Sequence, residues 1–215
     1  MRTTNKIEVE YVDHMGSDLS VVNAARVSFN KKKDVMDASD EKLIKYLAKH
    51  NHWSPFAHTS LCLKITAPIF VARQLVKHQV GGVWNEISRR YVSDNIVYYV
   101  PDAWRSAPIN MKQGSGDKQY DFHVDDVDDV LELCTNRYNE LLERGVAPEQ
   151  ARMILPINLM TEWYWTGSLV FWERVCKLRL DPHAQQECRD VAVLISDICV
   201  NRFPCSWNAL FMKEI

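Results

Sequence analysis

The side chains best suited to binding chemistry are concentrated between Ala67 and Tyr91. At about 100° per residue, a helix over residues 69–79 places its polar side chains on one face and its apolar ones on the other. Four polar residues then share an arc of roughly 140°, interrupted only by Phe70: Arg73, Gln74, Lys77 and His78. The pattern predicts an amphipathic helix that presents guanidinium, amide, ammonium and imidazole groups to a ligand.

The period changes after Gly81-Gly82, a pair that ends the predicted helix and permits close approach of the backbone to a ligand. If residues 85–91 are extended, alternation places Glu86, Ser88 and Arg90 on one face. A carboxylate, a hydroxyl and a guanidinium side by side suit an anionic ligand that also carries hydroxyl or amide groups, since arginine binds phosphate bidentately. The alternative is a solvated helix face that leads into an edge strand.

Strands and long helices alternate around this segment without a repeated βαβ unit or a GxGxxG motif. Apolar residues alternate with polar ones over 7–13 and 61–65, and the aromatic run 158–165 is also typical of a strand. The longest helix is predicted to start near His123 or Val124 and to end at Arg144. The expected fold is α+β, with residues 1–215 forming a single domain in which a mixed or antiparallel sheet is flanked by long helices.

Composition narrows the class of protein. The chain has 215 residues and a formal net charge of -2, which gives no reason to expect a partner that is a nucleic acid polymer. Its first residues lack a signal-peptide core, and its apolar runs fall short of the ~20 residues that span a bilayer. We therefore expect no membrane association and a cytoplasmic location.

Neither the cysteines nor the histidines follow a metal-binding pattern. The six cysteines form no CxxC pair, so buried free thiols are expected rather than disulfides or a zinc site. The stretch HNHWSPFAH contains three histidines, but their spacing matches no standard zinc motif and no cysteine completes it. No metal is predicted; a turn that carries His52 and Ser54 to a ligand is the preferred interpretation.

Several stretches jointly resemble the flavin-dependent thymidylate synthase family over about residues 7–205. NEISRRY is similar to the second half of the family signature RHRxxSxNExSxRY, with Asn85, Glu86, Ser88, Arg90 and Tyr91 in place. Four further segments resemble other well-marked blocks of the family: DLSVVNAARVSF, APIFVARQ, ARMILPINLMTEWYW and KLRLDPHAQ.

This resemblance implies the fold of that family and an enzyme that methylates C5 of dUMP to give dTMP. Methylenetetrahydrofolate would donate the carbon, and FAD reduced by NADPH would donate the hydride. It also implies a homotetramer whose active sites are built at subunit interfaces.

The resemblance implies roles for particular residues as well. The residues expected around dUMP are Gln74, Lys77, Glu86, Ser88, Arg89, Arg90, Arg152 and Arg179. Those expected around the flavin are His52, Ser54, Lys77, His78, Gln79, Glu86 and Arg174. Arg179 is the expected catalytic residue, because its family counterpart polarises the pyrimidine and a guanidinium stabilises negative charge that develops on the ring.

The chain departs from the signature where Lys77-His78-Gln79 replaces Arg-His-Arg, with one extra residue before Asn85. The substitution removes one fixed charge and replaces a planar guanidinium with a point charge. Arg174, where the family has asparagine, adds a charge. Two alternatives follow: a related flavin-dependent methylase or hydroxymethylase of another pyrimidine nucleotide, and a flavin- or nucleotide-binding protein without turnover.

Overall fold

The computed structural model describes residues 2–109, 114–120 and 125–211. The strands are β1 Arg2–Thr4, β2 Glu8–Met15, β3 Ser60–Pro68, β4 Gly82–Glu86, β5 Val97–Tyr99, β6 Trp104–Arg105, β7 Gln119–Tyr120 and β8 Met160–Gly167. The α-helices are α1 Asp18–Arg26, α2 Ala38–Lys49, α3 Ile69–Leu75, α4 Asp125–Glu143, α5 Pro148–Ala151, α6 Leu169–Arg179, α7 Gln186–Arg202 and α8 Pro204–Phe211. Short 3-10 helices cover Val27–Phe29, Ser54–His58 and Arg152–Ile154.

Four strands form the central antiparallel sheet in the order β2-β3-β8-β4. Two of its register pairs are Ile65 with Trp163 and Trp84 with Trp165. Alternate side chains of β3 and β8 are buried under the helices, as the period of two requires, while the opposite face carries polar side chains. The strand β4 lies at the edge of this sheet, which is the arrangement that the alternative interpretation of residues 67–91 had foreseen.

The helices cover the apolar face of the sheet. The main core joins β3 and β8 with α3, α6 and α7, and it is rich in aromatic residues. Trp84 stacks on Trp163 with ring centroids 4.4 Å apart, and Trp165 meets Phe171 and Trp172 edge-on. A second, smaller core around Tyr98 lies between β5 and α4. The packing fixes α3 and α6, the two helices that carry predicted site residues, against one sheet.

The expected α+β class with an antiparallel sheet is confirmed. The predicted strands over 7–13, 61–65 and 158–165 correspond to β2, β3 and β8. The predicted start of the longest helix near residues 123 and 124 lies outside the described residues, within which α4 begins at Asp125. In the described part of the chain, no helix is both long and apolar enough to cross a membrane.

Two predictions for the segment 67–91 are wrong. The helix does not reach residue 79 but ends at Leu75, and residues 76–81 form turns. Extended structure does not continue to Tyr91, because β4 ends at Glu86 and the amides of Tyr91 and Val92 both donate to the Ser88 carbonyl. The shared face predicted for residues 86, 88 and 90 therefore does not exist.

Gly81 and Gly82, where β4 begins, are required for two different structural reasons. Gly81 has φ of 84°, a left-handed conformation that costs other residues strain. A Cβ at Gly82 would lie 2.5 Å from the ring of Phe171. The close approach predicted for this pair is thus an approach to a side chain of the protein itself.

Candidate active site

The predicted substrate residues Gln74 and Arg179 line one polar cavity of about 580 Å³. Gln74 comes from the polar side of α3, and Arg179 is the last residue of α6. The cavity is completed by the turn that leads into α7, which contributes Asp181, His183 and Gln185. Both predicted residues are half-buried. The sheet thus brings together two side chains that lie 105 positions apart in the sequence.

Arg179 is held by His78, a predicted flavin contact. Its Nε donates a hydrogen bond of 3.0 Å to Nε2 of His78. Burial and the charges of Arg179 and Arg174 lower the pKa of His78 below 6.5. The neutral imidazole therefore accepts at Nε2 and carries its proton on Nδ1, the only arrangement in which this bond forms.

Arg174, one turn earlier on α6, holds the turn that follows α3. Its Nη2 donates to the backbone carbonyl of Val80 at 2.7 Å. Lys77 and Gln79 lie in the same turn and are exposed. The divergent triplet Lys77-His78-Gln79 is therefore an exposed turn fixed to α6 by two hydrogen bonds, one from Arg179 and one from Arg174.

Glu86, Arg89 and Arg152 line a second cavity of about 420 Å³, which shares no lining residue with the first among the residues that the structure describes. Glu86 accepts from the Thr161 hydroxyl at 2.7 Å and from Nε1 of Trp84 at 3.2 Å. These two donors fix the carboxylate on the sheet. The cavity combines the fixed carboxylate of Glu86 with two exposed arginines, Arg73 and Arg152.

The loop after β4 is organised by its own side chains. Arg89 donates to the carbonyls of Asp94 at 2.6 Å and Asn95 at 3.3 Å. The Ser88 hydroxyl accepts from the backbone N–H of Arg90 at 3.3 Å and from its Nε at 3.2 Å. Arg89 therefore shapes the loop, and Ser88 orients the exposed guanidinium of Arg90.

His52 and Ser54 lie in a third place, a hollow of about 340 Å³ between α1 and the 3-10 helix Ser54–His58. Both are exposed, and the ring of His52 meets that of Tyr46 edge-on at 6.0 Å. This hollow shares no lining residue with the other two cavities. Within one chain, the predicted residues thus form three separate groups.

The structure adds two residues that sequence reasoning missed, Cys188 and Thr161, and places a third, Arg73, that the polar arc of α3 had already indicated. Arg73 lines the cavity of Glu86, although it shares the polar side of α3 with Gln74. Its position on the predicted polar arc was a usable signal. The Cys188 thiol contacts the Gln74 amide, and Thr161 contacts Glu86. No sequence pattern indicates these two, because each depends on the packing of distant elements.

The six cysteines are all free; Cys176, Cys188 and Cys199 are buried as predicted, whereas Cys62, Cys134 and Cys205 are only partly buried. Among residues 2–109, 114–120 and 125–211, no group of three or more histidine, cysteine or acidic side chains is arranged to hold a metal ion.

Comparisons with known proteins agree with one another. The model of the thymidylate synthase complementing protein family matches residues 10–205. The chain is 39% identical over 206 residues to a flavin-dependent thymidylate synthase of Thermotoga neapolitana, covering 95% of this chain and 90% of the relative. It is 41% identical over 202 residues to a flavin-dependent thymidylate synthase of Thermus thermophilus, covering 94% of this chain and 74% of the relative. A solved structure of the UMP/dUMP methylase PolB from Streptomyces cacaoi, bound with 5-Br dUMP, superposes with a TM-score of 0.88 at 31% identity over 98% of this chain and 97% of that chain.

Proposed function

Because the chain belongs to the thymidylate synthase complementing protein family, we propose that it is a flavin-dependent thymidylate synthase, an enzyme that methylates dUMP at C5 to give dTMP. The observation that carries this proposal is the cavity of Gln74 and Arg179, with His78 tying Arg179 to the turn after α3. Methylenetetrahydrofolate is the proposed carbon donor, and NADPH the proposed reductant of the flavin.

Arg179 is the proposed catalytic residue. Its Nε is occupied by His78, so the two Nη groups remain to bind the pyrimidine. A guanidinium fixed in this way stabilises the negative charge that the ring gains while its C5 becomes nucleophilic. It stays protonated at neutral pH and so cannot serve as a base. No nucleophilic side chain is needed for this role.

The nucleotide phosphate is proposed to bind Arg90 and Arg152, both of which are exposed and offer guanidinium groups. Ser88 orients the first of them through its hydroxyl oxygen. Arg89 is proposed to act indirectly, by shaping the loop, since its guanidinium donates to backbone carbonyls of that loop. Glu86, fixed by Thr161 and Trp84, is proposed to accept hydrogen bonds from substrate or flavin.

The residues of the turn after α3 fit a flavin dinucleotide. Lys77 and Arg174 place two exposed cations at an exposed turn, a donor set that suits a pyrophosphate. His78 and Gln79 belong to the same turn, in which His78 is half-buried and Gln79 is exposed. His52 and Ser54 are proposed to contact the cofactor from another surface. When bound, FAD supplies the hydride that completes the methyl group.

We propose that a second copy of the chain brings the three groups together. Among residues 2–109, 114–120 and 125–211, the three cavities have no lining residue in common, and no single cavity among them brings the three groups together. A homotetramer, as the family resemblance implies, supplies the missing walls. Light scattering at micromolar concentration tests this: an oligomer is expected, and a monomer both with and without FAD would refute it. The cytoplasmic location and the single domain over 1–215 stay predictions.

One incubation tests the function. The protein is mixed with dUMP, methylenetetrahydrofolate, NADPH and FAD, and the nucleotide is analysed by mass spectrometry. The mass of dTMP is expected. A hydroxymethylated nucleotide would identify the hydroxymethylase alternative, and binding of dUMP and FAD without oxidation of NADPH would identify a protein without turnover.

A second candidate, a methylase that also accepts UMP, is favoured by one observation. The similar protein PolB is a UMP/dUMP methylase, and its structures are bound with 5-Br dUMP in one case and with 5-Br UMP in the other. Parallel incubations with UMP and dUMP separate the two candidates, because a thymidylate synthase is expected to leave UMP unchanged.

A further inference from the structure

The amide of Gln74 is held from behind by a buried thiol. Gln74 lies on α3 and lines the cavity of Arg179, while Cys188 lies on α7 and is 0% exposed. The Sγ of Cys188 donates to Oε1 of Gln74. This contact joins two helices whose residues lie 114 positions apart, and it is separate from the bond that holds Arg179.

The chemistry of the thiol decides which end of the amide it binds. Burial raises the pKa of Cys188 to about 12, so the sulfur keeps its proton at neutral pH. A protonated thiol is a weak donor and its sulfur a weak acceptor, and here the Sγ–H faces Oε1 of Gln74. The amide oxygen of Gln74 is therefore drawn toward Cys188. The amide nitrogen, with its two N–H groups, is left for the cavity.

The cavity then offers donors from both of its principal side chains. In the described part of the chain, Nε2 of Gln74 donates to no protein group, and Arg179 uses only Nε on His78. The free N–H groups of Gln74 and Arg179 therefore suit a ligand that presents hydrogen-bond acceptors to the cavity. The edge of a uracil ring at C4 presents a carbonyl oxygen, whereas a cytosine ring presents an amino group there, which is a donor.

We propose that Cys188 is a positioning residue that locks the Gln74 amide in its donor orientation and so makes the site select uracil nucleotides over cytosine nucleotides. The inference rests on the proposed function, which puts the pyrimidine in this cavity. A free amide can rotate and offer its oxygen to the amino group of cytosine. With the thiol in place, that rotation turns the two amide N–H donors toward the buried S–H, which then loses its acceptor.

The test is the ratio of the dissociation constants for dCMP and dUMP, measured by titration calorimetry on the FAD-loaded protein. Cys188→Ala is expected to lower this ratio about tenfold. Without the thiol, the Gln74 amide can rotate and offer its oxygen to the amino group of cytosine. Cys188→Ser keeps a donor and is expected to restore most of the preference. Cys199→Ala is the matched control, because Cys199 is also fully buried on α7 but has no hydrogen bond to Gln74 in the described part of the chain; its ratio should equal that of the wild type.

An unchanged ratio in a folded Cys188→Ala protein, with the wild type binding dUMP, would overturn the inference alone. A wild type that binds neither nucleotide would overturn the proposed function and the inference with it. If Cys188→Ala fails to fold, Cys188→Ser still tests the thiol, and Gln74→Glu tests the donor role of the amide, since a carboxylate offers acceptors only. In this variant the ratio of the dissociation constants for dCMP and dUMP is expected to fall. A ratio equal to that of the wild type would refute the role of the amide.

Discussion

Arg179 and His78 share a hydrogen bond of 3.0 Å in which the guanidinium Nε donates to the imidazole Nε2. The bond connects the end of α6 with the turn after α3, and so connects the proposed pyrimidine cavity with the proposed flavin surface. It also fixes the protonation state of the histidine, because a protonated imidazole has no lone pair to accept with. Acid should therefore break it.

The stability of the protein is expected to fall between about pH 6.5 and the lowered pKa of folded His78. Burial, then Arg179 and Arg174, lower this pKa, and the ring of Trp165 lies 6.4 Å away without adding a charge. The unfolded chain thus binds more protons in this range, and the contribution of neutral His78 is complete above about pH 6.5 and lost below the folded pKa. Urea unfolding at several pH values measures it.

His78→Gln is the control for this pH dependence. A glutamine oxygen accepts from Arg179 but does not titrate in this range. The stability difference between the wild type and His78→Gln should therefore change as the pH falls from about 7.5 to about 5. If the free energy of unfolding of the two proteins varied with pH in the same way, the pH dependence could not be assigned to His78.

Arg179→Ala should reduce turnover about 10²-fold or more, because the charge that stabilises the reacting ring is lost. Ser88→Ala should keep substantial turnover while weakening dUMP binding, since the Ser88 hydroxyl accepts from Arg90 and has no adjacent base. Steady-state kinetics and dUMP titrations on both variants measure these effects. Complete loss of turnover in Ser88→Ala with intact dUMP binding, together with a covalent adduct at Ser88 in the wild type, would reverse the two roles.

Gly82→Ala should destabilise the fold by about 1–3 kcal/mol through overpacking. The added Cβ would lie 2.5 Å from the ring of Phe171 and 3.1 Å from Nε1 of Trp165, so the aromatic core must shift. Val83→Ala, at an exposed position of the same strand, should change the free energy of unfolding by less than about 0.5 kcal/mol. Thermal or urea unfolding compares the two variants, and equal losses would indicate that Phe171 yields freely.

Periodicity predicted the parts of the fold that depend on burial. The alternation in β3 and the apolar side of α3 were visible because each buried face repeats along a single element. The segment after Glu86 kept the same alternation in its sequence but not in its structure. Its turn is set by side-chain bonds to backbone, from Arg89 to the carbonyls of Asp94 and Asn95, and such bonds leave no periodic trace.

The roles of the candidate site residues stay predictions, and the sequence did not indicate how the structure groups these residues. Arg73 and Gln74 are adjacent in sequence and share a polar arc, yet they line different cavities. Which neighbour each one meets depends on how α3 packs against the loop after β4 and against α7. Cys188 was correctly expected to be buried and free, but its contact with Gln74 follows only from that packing.

Gln79→Arg should tighten FAD binding about 10-fold to 100-fold, because it restores a charge-assisted phosphate contact that contributes about 1.5–3 kcal/mol. Gln79 is exposed in the turn that Arg174 fixes through the Val80 carbonyl, and in the described part of the chain its side chain has no hydrogen bond to give up. The flavin dissociation constant, measured by fluorescence quenching, reads the effect directly. Asn136→Arg adds the same charge at an exposed position of α4 that lines none of the three site cavities, and it should leave FAD binding unchanged.

Arg174→Ala should weaken FAD binding in the wild type and weaken it less once Gln79→Arg is present, since the two cations are proposed to bind the same phosphate. An unchanged dissociation constant in Gln79→Arg would mean that this turn does not meet the flavin phosphates.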